Sequence, residues 1–126
     1  MKKVALFVFL IAFISCKKEN ETTFGQPIPN EVSQTPEELG KSIFEGKGNC
    51  AACHRKDEKL VGPSVQEIAK IYKVQNGALV SFLKDEAKPI VDPSQYEVMK
   101  TNLALTKEMS DEELKGLEAY IYSQVK

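Results

Sequence analysis

The residues best suited to chemistry in this chain sit together, in Cys50-Ala51-Ala52-Cys53-His54. Among 126 residues there are 3 cysteines and 1 histidine, and this stretch takes the histidine and all but one of the cysteines. Two thiols one helical turn apart, followed at once by an imidazole, form the attachment signature of a c-type haem. Each thiol can add to one of the two vinyl groups of the porphyrin, while the imidazole reaches the iron from one side. A zinc site would use the same residues but needs a fourth ligand, and the remaining thiol, Cys16, lies outside the domain. A thioredoxin-like dithiol needs a βαβ setting, and no strand pattern is present. A Cys50–Cys53 disulfide would close too small a loop to stabilise much.

Haem iron then needs a second axial ligand or an open site. His54 is the only histidine, so a second imidazole from this chain is excluded. Methionine is the next option and raises the reduction potential. Met1 lies in the N-terminal leader, which leaves Met99 and Met109. Met109 directly precedes the Ser110 cap, where an apolar residue commonly staples onto the first helical turn. Met99 follows the Asp92-Pro93 turn in a stretch read as irregular, where a loop can be aimed at the iron, so Met99 is the favoured distal ligand. On the proximal side, the carbonyl of Pro63 is the expected acceptor for the other ring N–H of His54.

The elements that must position these groups read as helices. Thr35-Pro36-Glu37-Glu38 is a capping box with a first-turn proline, and Leu39, Gly40, Ile43 and Phe44 follow at helical spacing up to Gly46–Gly48. Ser64-Val65-Gln66-Glu67 opens a second helix with Val65, Ile68, Ala69 and Tyr72 on its stripe. A third is expected from Asn76 to about Glu86, with a further short turn at Asp92-Pro93. Ser110-Asp111-Glu112-Glu113 caps the last helix, whose stripe is Leu114, Leu117, Ile121 and Val125. The expected domain is therefore all-α, with about four to five short helices wrapped around one covalently bound haem. Helices this short are marginal alone and need added core.

Composition narrows the rest. Lys+Arg number 17 against Asp+Glu 18, a net charge of −1. That balance argues against nucleic acid, which demands a basic excess. Met1-Lys2-Lys3 and the apolar run Val4–Ile14 read as a secretory signal, too short to span a bilayer. Phe13-Ile14-Ser15-Cys16 resembles the lipobox of bacterial lipoproteins, which implies lipidation of Cys16. The expected divisions are residues 1–15 as signal peptide, 16–35 as lipidated N-terminus and polar tether, and 36–126 as the domain. Loss of residues 1–15 removes Lys2 and Lys3, leaving 15 basic and 18 acidic groups, a net −3.

Together these residues resemble the class I c-type cytochromes, over residues 36–126. The resemblance rests on Cys50-Ala51-Ala52-Cys53-His54, on Gly62-Pro63, on Gly40 with Phe44, and on Leu117 with Tyr120. In that family a glycine and an aromatic of the first helix meet a leucine and an aromatic of the last. One departure is Met99-Lys100, where small bacterial members often carry Met-Pro. The resemblance implies haem c held by Cys50 and Cys53, with His54 and Met99 as iron ligands. It further implies a carrier of single electrons rather than an enzyme, with redox proteins as partners and no small-molecule substrate. The expected location is the periplasmic side of a bacterial membrane, by a lipid anchor. The alternatives are a haem-binding subunit of a larger oxidoreductase complex, or an open sixth site that binds a small molecule. Lys56, Lys59, Lys70, Lys73, Lys84, Lys88, Lys100 and Lys107 are either a docking ring or solvated surface.

Overall fold

The computed structural model describes residues 34–126. The expected signal peptide, the expected lipidation site Cys16 and nearly all of the expected tether lie outside these residues. Five helices follow one another: α1 Pro36–Glu45, α2 Val65–Val74, α3 Leu79–Leu83, α4 Tyr96–Thr106 and α5 Asp111–Ser123. Single 3-10 turns occupy Cys50–Ala52 and Pro93–Gln95, the second running straight into α4. No strand forms among the described residues, only an isolated bridge between His54 and Lys59. None of their helices is long and apolar enough to cross a membrane.

The helix starts follow from the caps. Thr35 and Ser110 each accept from the N–H three residues on, while Glu38 and Glu113 accept from the cap residue's own N–H. Ser64 caps α2 through the Glu67 N–H at 3.1 Å. Helix ends follow from backbone chirality. Asn76 (φ 50°) and Asp85 (φ 60°) adopt the left-handed conformation that Asn and Asp tolerate better than most residues. They bracket α3 and hold it to five residues, shorter than the span expected from Asn76 to Glu86.

The core is built around a crossing of α1 and α5, by far the closest helix pair in the fold. Gly40 is what lets them meet. A Cβ on Gly40 would lie 1.9 Å from the Gly116 carbonyl oxygen, so the two backbones touch at glycine on both sides. Phe44 and Tyr120 fill the flank of the crossing, ring centroids 5.2 Å apart. Ile43, Val65, Ala69, Tyr72, Leu79, Leu83, Leu114, Leu117 and Ile121 complete the buried cluster. α4 stands apart: its backbone comes close to the other helices at few points, and a cleft separates it from much of the domain.

Candidate functional site

Cys50, Cys53 and His54 face that cleft. It encloses about 1180 Å³, part of it open to solvent. Its wall is mostly apolar, with Phe44, Ile68, Tyr72, Leu79, Phe82, Leu83, Ile90 and Val91 among the side chains. From α4, Tyr96, Val98, Met99 and Asn102 also line it. The structure thus brings Met99 to the same cavity as His54. Met109 is not among the lining residues; it packs against the hydrophobic cluster beside the Ser110 cap.

Met99 does not reach the cavity from irregular chain, as the sequence reading had it. It lies in the first turns of α4. Its placement is therefore set by a helix as a rigid unit rather than by a pliable loop.

The proximal side is held tightly. Nδ1 of His54 lies 2.7 Å from the Pro63 carbonyl oxygen. That oxygen can only accept, so Nδ1 carries the proton and donates it, and Nε2 keeps its lone pair. The loop bearing Pro63 is itself tied back: Gly62 N–H donates to the Cys53 carbonyl at 3.0 Å, and Val65 N–H to the Arg55 carbonyl at 2.8 Å. Gly62 lies under the imidazole. A Cβ there would fall 2.4 Å from Cε1 and 2.9 Å from Nδ1 of His54. Gly62→Ala is therefore expected to swing the ring off Pro63 and lower stability by about 1–3 kcal/mol. Thermal unfolding measures this, and a midpoint equal to wild type would show that the ring gives way freely.

The two thiols differ. Cys50 is buried, and burial pushes its thiol up to about 11. So buried a position suits an uncharged sulfur such as a thioether. Both thiols are free of a disulfide. No cluster of three or more His, Cys, Asp and Glu among the described residues is arranged to hold a metal ion, so the zinc reading lacks its fourth ligand.

These observations fit a covalently held porphyrin. An apolar cleft beside the core would otherwise leave a small domain short of packing, and paired sulfurs, an oriented imidazole and a thioether side chain all open onto it.

Several contributors carried no sequence signal. Asp85 accepts from the hydroxyl of Tyr96 and pairs with Lys107 at 2.7 Å, and Asn102 Nδ2 donates to the Gly48 carbonyl at 3.1 Å. An acidic residue just past a helix end hints at a left-handed stop, but not at a partner so far along the chain. Of the eight lysines, Lys59, Lys84 and Lys107 pair with Asp92, Asp111 and Asp85. Lys73 caps α5 at the carbonyls of Tyr122 and Val125, each at 3.1 Å, and Lys100 sits over the Tyr96 ring. Much of the supposed docking ring is thus engaged within the fold.

Comparison with known proteins agrees with this geometry. The sequence profile of the family described as Cytochrome c matches residues 37–124. Over 44 residues, 35% of this chain, the sequence is 52% identical to a cytochrome c2 of Rubrivivax gelatinosus. Over 40 residues, 32% of this chain, it is 45% identical to a cytochrome c-551 of Azotobacter vinelandii. The matched stretches span 46% and 48% of those relatives, about half of each.

Proposed function

The chain belongs to the cytochrome c family, with its all-α fold and its covalent haem c, and from that premise we propose that it carries single electrons between redox proteins. One observation supports this above the rest: His54 and Met99 line one apolar cleft together with the paired thiols Cys50 and Cys53. When bound, haem c supplies an iron that alternates between ferric and ferrous states.

The residues then have distinct tasks. Cys50 and Cys53 would hold the macrocycle through thioethers. Pro63 fixes the tautomer of His54, so that Nε2 is free to ligate. Met99 would be the second protein ligand of the iron and would leave no place for a substrate; this favours a carrier over an enzyme or a ligand-binding site. Phe44, Ile68, Tyr72, Leu79 and Leu83 exclude water from the cleft. Low polarity limits solvent reorganisation when charge on the iron changes. Val61 and Val98 stand at the rim, both about half exposed (48% and 52%), and offer partners an apolar contact.

The leader and Cys16 place the protein, in this reading, on the periplasmic side of a bacterial membrane. Acyl chains on Cys16 hold it there, with residues 17–35 as tether.

Mass spectrometry of protein expressed with haem-maturation machinery tests the proposal. The expected mass is that of the chain without residues 1–15, plus acyl chains and plus one haem. The double variant Cys50→Ser/Cys53→Ser should lose the haem increment completely and keep the acyl increment. A wild-type chain that stays colourless at its polypeptide mass would falsify the electron-carrier reading.

A further inference from the structure

α4 carries Met99 to the cleft, yet its backbone packs closely with little besides the 3-10 turn that leads into it. Its interior side chains Leu103 and Thr106 are fully buried, with the Thr106 hydroxyl donating to the Leu83 carbonyl. Val98 and Leu105 face solvent. The N-terminus of α4 has no side-chain cap. One residue outside the helix touches it at both ends, alongside the Thr106–Leu83 bond at its C-terminal end. Asp85 accepts from the hydroxyl of Tyr96, the first residue of α4, and from the ammonium of Lys107, the residue just past its end.

We infer that Asp85 is a positioning residue for the distal ligand: by bridging both ends of α4 it sets where that helix stands, and so where Met99 stands. The inference rests on the proposed ligation by Met99. Three further features support it. The Asp85 side chain is only 16% exposed, so little of its carboxylate is open to competing water. Its backbone is left-handed (φ 60°), which turns the chain sharply after α3 and brings the carboxylate back beneath α4. Its carboxyl is held below the ordinary value, by Lys107 first and Tyr96 second with a smaller part from Lys100, and in return Asp85 raises the Tyr96 phenol.

Parallel urea titrations of the ferric holoprotein test this. One probe is the weak far-red absorption of Met-ligated haem; the other is helical circular dichroism. The variants are Tyr96→Phe, Asp85→Asn and, as control, Lys84→Ala, whose partner Asp111 lies on α5. Asparagine tolerates the left-handed backbone, so Asp85→Asn removes charge without strain, and Tyr96→Phe keeps the ring should that variant fail to accumulate. In both, the band is expected to fade at lower urea than the helices melt. The on–off equilibrium of Met99 shifts about three- to tenfold toward off. Lys84→Ala should keep the two transitions together, as in wild type. Coincident loss of band and helix in both Asp85→Asn and Tyr96→Phe, at whatever urea, overturns the inference, because it makes Asp85 an ordinary stabilising residue. A wild-type protein without the band instead removes the Met99 ligation, and the inference with it.

Discussion

Gly40→Ala should be among the most damaging single-methyl changes available to this domain. Inside a helix the exchange would ordinarily gain about 1 kcal/mol from propensity. Here the added Cβ would lie 1.9 Å from the Gly116 carbonyl oxygen and 2.8 Å from Cβ of Tyr120. Neither obstacle can turn aside, since one is backbone and the other the root of a side chain. α1 must therefore lift off α5, which opens the buried contacts of Ile43, Phe44 and Leu117. Overpacking of this kind outweighs the propensity gain, for a net loss of about 2–4 kcal/mol. In a domain this small that lowers the melting temperature by roughly 10–25 °C. Gly116→Ala is the comparison. Its Cβ would meet the Pro36 carbonyl oxygen, Gly40 N and Leu39 Cγ at 3.1–3.3 Å, a squeeze that small shifts relieve. It should cost less than about 1 kcal/mol. Thermal melts that rank the two variants in the opposite order would show that the helices do not meet at Gly40.

Met99→Ala should abolish Met ligation outright. The far-red band of the ferric protein disappears, and the reduction potential falls as the thioether is replaced by water or an added ligand. Met109→Ala should leave both unchanged while lowering stability modestly, because Met109 is only partly buried against the core. The contrast separates ligation from packing. A band that survives in Met99→Ala and vanishes in Met109→Ala reverses the distal assignment.

How far the sequence carried the reading depended on whether its signals were local. Thr35 and Ser110 announced the starts of α1 and α5 because a capping box is spelled within four residues. Gly40, Phe44 and Tyr120 were legible through family resemblance. Gly116 was not, since a glycine in a helix has no meaning until the neighbour it must admit is known. α4 was missed for two physical reasons. It lacks a side-chain cap, and its apolar residues wrap around it, with Val98 and Leu105 outward and Leu103 inward, so no clean stripe appears. The dipeptide Met99-Lys100 held an unused clue. A proline at position 100 would have removed an N–H needed by the helical ladder; lysine keeps it, and the helix runs unbroken through Met99. Asp85 was invisible because its partners at 96 and 107 become neighbours only when the chain has folded back.

The meeting of α1 with α5 also bears on how costly the fold is to close. These are the first and last helices of the domain, so the contact that completes it joins segments with almost the whole domain between them, and such pairings form only after a long loop has been closed. Until the final thirteen-residue helix docks, the glycine seam is unzipped and the sulfurs at 50 and 53 belong to an unfinished molecule. Closing so long a loop carries an entropy cost that contacts between neighbouring helices do not.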